Sequence, residues 1–153
     1  MKEATAMNHR RGMECELPTD QMYKVLECLA DESRSFYVRR CMAIDEEHRF
    51  IPGTTVNYAI SAKALRELAQ SCIWELVLDV YPCGSPVDSI VSYSDFQKSA
   101  CLCRLIFCDC RELELYIKDA ALFAKLSSLL RSLNAENMRD ITDASDRRTE
   151  LDL

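Results

Sequence analysis

Apolar and charged residues alternate through Met13-Glu14-Cys15-Glu16-Leu17, the two-residue period of a half-buried strand, and Pro18 ends the run. Thr19 is placed to cap a helix in which Met22, Val25, Leu26 and Leu29 recur at i, i+3, i+4 and i+7, a pattern that fades near Asp31. The run Ser35 to Met42 predicts a second strand. Asp45-Glu46-Glu47-His48-Arg49 reads as a charged loop and Pro52-Gly53 as a turn. Ser61 would cap a second helix carrying Leu65, Leu68 and Ala69. Between Ile73 and Tyr81 the even positions Trp74, Leu76, Leu78 and Val80 are apolar, while Glu75 and Asp79 stand among the odd ones, so one strand face should be fully buried.

Pro82-Cys83-Gly84-Ser85-Pro86 reads as a loop, because two prolines and a glycine break any ladder. A weaker strand is expected over Val87 to Val91, and a helical turn or two around Ser94 to Lys98. Cys101 to Lys118 reads as a hairpin. Its first arm is apolar on both faces, like a strand covered on both sides, and its second places Leu113, Leu115 and Ile117 inward. Asp119 caps the strongest helical stripe, Leu122, Phe123, Leu126, Leu129, Leu130 and Leu133, with Asn134 as its stop. Met138 to Thr142 is a last short strand. The elements predict an α+β domain: a mixed, mostly antiparallel sheet with two or three helices packed mainly on one face. Residues 1–10 are expected as a flexible N-terminal tail and residues 11–153 as a single domain.

Composition supports an ordinary globular chain: 153 residues, 48% apolar and 29% charged. The net charge of −6 repels phosphate backbones and argues against a nucleic-acid partner. The first ten residues contain no apolar core of a signal peptide, and Ala120 to Leu133 is too short and too polar to span a bilayer. Nine cysteines without a scaffold-like spacing then suit free thiols in a reducing cytoplasm.

Four of those cysteines crowd the hairpin as Cys101-x-Cys103 and Cys108-x-Cys110. Strand alternation puts the first pair on one face and the second on the other, so the four cannot converge on one zinc ion. Buried core thiols are the expectation. Cys110 and Cys83, in turns, are the candidates for reactivity, and Arg111 beside Cys110 could lower its pKa. The histidines His9 and His48 lie in the tail and in an acidic loop, which leaves a cysteine nucleophile without an oriented base.

Carboxylates offer another chemistry. Asp79 and Asp109 sit near the ends of apolar strands, and Asp140, Asp143 and Asp146 follow at regular spacing. If two or three converged they would bind magnesium and support phosphate hydrolysis. With only Gly12, Gly53 and Gly84, no glycine-rich turn can cradle a pyrophosphate, and no cofactor is expected.

Several short runs, in order along the chain, carry a resemblance: Arg11-Gly12 with Leu17-Pro18; Tyr81-Pro82-x-Gly84; Tyr93-x-x-Phe96; Tyr116-Ile117-Lys118-Asp119; and Ile141-Thr142-Asp143-x-x-Asp146-x-Arg148-Thr149. In these the chain resembles a bacterial family of small proteins, the domain-of-unknown-function family 2691. The resemblance implies a bacterial cytoplasmic protein and carries no activity with it. The cysteine load is a departure from that pattern. Arg148 is expected to pair with Asp143, Asp146 or a carboxylate elsewhere on the sheet.

The leading expectation is a non-catalytic protein-binding module, of the kind that includes immunity-type toxin inhibitors. Glu112, Glu114, Glu75 and Asp79 would steer a basic partner. A homodimer is compatible with the sequence, and no membrane partner is expected. The alternative is a small metal-dependent hydrolase using Asp79, Asp109, Asp143 and Asp146.

Overall fold

A computed structural model describes residues 9–45, 47 and 57–153. Glu46, His48 and the Pro52-Gly53 turn, and residues 1–8 of the expected tail, lie outside the described residues. Seven strands form one sheet: β1 (Arg10–Glu16), β2 (Arg34–Ile44), β3 (Tyr58–Ile60), β4 (Cys72–Pro82), β5 (Cys103–Cys108), β6 (Glu112–Ile117) and β7 (Glu136–Thr142). Their spatial order is β3-β2-β4-β5-β6-β1-β7, and every neighbouring pair is antiparallel. Four helices accompany them: α1 (Met22–Leu29), α2 (Ala62–Leu68), α3 (Tyr93–Lys98) and α4 (Ala120–Ser132). The chain is an α+β domain, and no helix among the described residues is long and apolar enough to cross a membrane.

The helix ends follow local chemistry. Ser61 accepts a hydrogen bond from the Ala64 amide, and Asp119 accepts from the amides of Ala121 and Leu122. Ser92 and Asp95 close a reciprocal capping box on α3. Asn134 sits at φ 57°, the left-handed stop expected after α4. Thr19 differs from expectation. It opens a 3-10 turn, Thr19–Gln21, and its hydroxyl donates to the Ile73 carbonyl oxygen at 2.5 Å, so it ties the start of α1 to β4 instead of capping it.

Burial divides the sheet by face. One face carries Phe36, Val38, Leu76, Leu78, Val80, Cys103, Leu105, Phe107, Leu113 and Leu115, packed under α1, α2 and α4. On the opposite face Val77, Tyr81, Ile106 and Tyr116 are covered by Phe96 of α3, Ile90 of the preceding loop and Leu151 near the C-terminus. Central strand β4 is therefore buried on both sides, including its odd positions Val77, Asp79 and Tyr81. Trp74, expected inside, is 40% exposed. The β2–β4 register shifts between Met42 and Ala43, and Trp74 is the extra residue of that bulge.

Three further boundaries differ. β1 begins at Arg10, inside the expected tail. Pro82 ends β4 opposite Arg34, at a strand terminus where its missing N–H costs no ladder bond. Residues 87–91 form no strand, because Ile90 is turned into the second core and the backbone runs as a cover.

At Gly12, β1 crosses β6 so closely that a Cβ would stand 1.7 Å from the Leu115 carbonyl oxygen. The β5–β6 turn places Asp109 and Cys110 at φ 55° and 58°, the paired left-handed conformation of a type I′ hairpin, closed by the Arg111 amide on the Cys108 carbonyl at 3.1 Å. Two outcomes follow for urea unfolding. Gly12→Ala should lower stability by about 3 kcal/mol, the upper end of overpacking costs, because backbone must move. Cys110→Gly should raise it by about 1 kcal/mol, since glycine adopts this conformation without the Cβ penalty.

Candidate functional site

The second sheet face holds Asp79, Glu75, Glu112 and Glu114, whereas Asp140 of β7 stands opposite Met13 on the first face. Asp79 stands in mid-β4, fully buried, opposite Arg104 of β5, which is 2% exposed. Arg104 Nε donates to Asp79 Oδ1 at 2.5 Å and Nη2 to Oδ2 at 2.7 Å, a two-point clamp. Arg39 Nε reaches Oδ2 from β2 at 2.9 Å. The remaining guanidinium donors run outward: Arg104 Nη1 to the carbonyls of Ile90 (3.1 Å) and Leu151 (3.0 Å), and Arg39 Nη2 to that of Asp88 (2.5 Å). Burial works against the charge of Arg39, but the bonds and charges of Asp79 and Tyr81 together outweigh it and its pKa rises. Asp79 is thus a structural anion, and it cannot steer a partner from the surface.

Asp143 and Asp146 meet on a single cation. Arg11 Nε donates to Asp143 at 2.6 Å and Nη1 to Asp146 at 3.2 Å, while the Tyr116 hydroxyl donates to Asp146 at 3.1 Å. Arg148 clamps Glu114 of β6 at 2.5 and 3.2 Å and donates to the Asp152 carbonyl oxygen. It pairs with a carboxylate on the sheet, one of the two arrangements expected. These bonds hold residues 143–153 across the sheet, where Leu151 enters the second core.

The carboxylates of the hydrolase alternative are not gathered. Asp109 is in the hairpin turn, five residues along β5 from Arg104 and therefore about 17 Å from Asp79. Three strand spacings, about 14 Å, separate β4 from Arg11 on β1. What Asp109 does approach is Cys108 and Glu112: one ligand atom of each lies within 4.8 Å of the others. Cys108 donates its thiol proton to Glu112 at 3.5 Å, and its pKa is pushed up to about 11 by burial and then by Glu112 and Asp109. A metal ion there would first have to displace that proton.

Cys15, Cys41, Cys101, Cys103, Cys108 and Cys110 are all shifted upward, away from the thiolate. Cys103 points into the first core, but Cys101 precedes β5 and sits in the second, so the two do not share a face as alternation implied. Burial raises Cys101 and Cys41 to about 12. Cys110 is also raised, by burial and by the neighbouring Cys72 and Asp109. Arg111 does not serve it, because that guanidinium turns to Glu16 (3.3 Å) and Glu136 (3.4 Å).

Those last contacts expose an arrangement that spans three strands. Glu112 is directly opposite Glu16, and Glu16 directly opposite Glu136. The three share the second face, beyond its covered half, since Cys15 and Leu17 point the other way into the first core. One row nearer that cover, Glu114 and Glu14 also face each other, but each has its own arginine, Arg148 and Arg139. In the outer row Arg111 serves two carboxylates, and among the described residues no ion pair reaches Glu112. Of the residues expected to steer a partner, Glu112 remains exposed on this half, Glu75 is half-buried, and Glu114 is half-buried in its clamp. Glu16 and Glu136 were not identified, and only the strand order brings them together. A local signal for the Asp79 clamp did exist: Arg104 is the single charge within Cys103-Arg104-Leu105-Ile106-Phe107.

The family described as "Protein of unknown function (DUF2691)" matches residues 20–152, and the chain belongs to it. No curated protein and no solved structure matches the chain.

Removing one member of the buried clamp should be far more costly than removing an exposed pair. Asp79→Ala leaves Arg104 uncompensated and should lose about 3–5 kcal/mol in chemical denaturation. Arg40→Ala, which removes the exposed pair with Asp152, should lose less than about 1 kcal/mol.

Proposed function

We propose that this protein is a non-catalytic binding module that recognises a basic protein through the half of its second sheet face that is left open among the described residues. The observation that carries the reading is the row Glu112–Glu16–Glu136. Like charges directly opposite one another destabilise a sheet, by about 0.2–1 kcal/mol per pair relative to neutral neighbours. A basic surface laid over the row would turn that repulsion into attraction, and it would also speed encounter at low salt. Of the other charged groups singled out, Asp79, Asp143, Asp146 and Arg148 are already paired within the fold. Occlusion of a basic surface is sufficient for inhibition, so an immunity-type inhibitor of a basic toxin is the form of this function we favour.

The row supports a paired test. Glu112→Gln should raise stability by about 0.2–1 kcal/mol, because it removes a repulsion without disturbing an ion pair. Tagged protein isolated from its native host should carry a stoichiometric basic partner, and the Glu16→Lys/Glu112→Lys double variant, shown to be folded by circular dichroism, should lose it. Equal recovery of that partner by both proteins would exclude the acidic face.

A further inference from the structure

The outer row continues past Glu112. Cys108 is opposite Glu112, and the β4–β5 register, carried one residue beyond Leu76 and Phe107, brings Glu75 opposite Cys108. Glu75 is in turn opposite Met42 of β2. Because Cys41 and Ala43 are core residues, Met42 faces away from the first core, and it is 37% exposed. Trp74, 40% exposed, stands at the bulge beside it. The face therefore has an apolar end, Met42 and Trp74, and an acidic end, Glu112, Glu16 and Glu136, on one line perpendicular to the strands.

Resting on the reading above, we propose that the occupant of this line is a basic amphipathic helix of the partner, lying across the strands. Spacing carries the choice. Adjacent strands are about 4.8 Å apart, and side chains three or four apart on a helix are separated by about 5–6 Å. Lysines or arginines at i, i+3/i+4 and i+7 thus meet successive glutamates. An extended segment repeats each face at about 6.7 Å and falls out of step. From Glu75 to Glu136 is four strand spacings, about 19 Å, the length of about 13 helical residues. An apolar side chain at one end of such a helix then reaches Met42 and Trp74, where a cation can also stack on the indole. A second copy of this chain is a poor occupant, because two such faces repel.

Trp74 is the only tryptophan in the chain, so its emission reports on this line alone. The probes are two blocked, alanine-based peptides of identical composition with four lysines and one terminal leucine. One spaces its lysines at i, i+4, i+7 and i+11; the other gathers them in a block interrupted by a proline, and the first carries that proline outside its helix. Titrated at low salt, the helix-spaced peptide should bind at least ten-fold more tightly, shift Trp74 emission, and lose at least ten-fold in affinity to Glu16→Lys. Equal affinities overturn the helical occupant and leave the acidic-face reading standing. Absence of binding by either peptide, or binding insensitive to Glu16→Lys, also overturns it. The acidic-face reading is judged separately, by whether the charge-reversed double variant keeps the native partner.

Discussion

A buried carboxylate in the middle of the central strand has to be neutralised where it stands, and much of this structure is arranged around that requirement. Asp79 is out of reach of water, and an unpaired charge there would cost several kcal/mol. Arg104 meets it across β4 and β5, and Arg39 meets it from β2, so the pair fixes the register of three strands. The two guanidinium groups bring more donors than one carboxylate can accept. Their surplus goes to the backbone carbonyls of Asp88, Ile90 and Leu151. The loop before α3 and the C-terminal segment are thereby held over the sheet, and the apolar side chains of Ile90 and Leu151 close the second core beneath them.

This cover has an edge. On one side of it every carboxylate has a cationic partner: Arg11 is shared by Asp143 and Asp146, Arg148 holds Glu114 and Arg139 holds Glu14. On the other side, one residue pair further along the strands, three glutamates stand abreast with Arg111 between two of them. The electrostatic character changes within about 7 Å along the strands, from satisfied to repulsive. That imbalance is the feature on which the proposed binding of a basic partner rests.

Local chemistry was readable in the chain. The α4 stripe, the caps Ser61 and Asp119 and the alternation of β6 depend on residues within one or two turns of each other, and the structure has them as expected. Non-local chemistry was not. Asp79 looked like the outward member of an alternating strand because its partner lies 25 residues away and meets it only once β4 and β5 pair. Cys101 looked like a face-mate of Cys103 because alternation was assumed to start before the strand does. Glu16, Glu112 and Glu136 come from three separate parts of the chain, and only the order β6-β1-β7 makes them neighbours.

A more ordinary explanation of the glutamates is edge protection. β7 is an outer strand, and charge on an outer strand discourages pairing with another sheet. That accounts for Glu136, and Asn137 at φ 53° further disrupts the free edge. It does not account for Glu16 or Glu112. β1 and β6 are interior strands with both edges paired, so a charge there protects nothing, and each faces a like charge directly. Solubility does not account for Glu112 either, since a lysine there would serve it equally and would remove the repulsion, whereas Glu16 is held by Arg111 at 3.3 Å and Asn137 at 3.1 Å. What distinguishes glutamate from lysine at Glu112 is the sign of the field it presents outward, the property on which the proposed recognition of a basic partner rests.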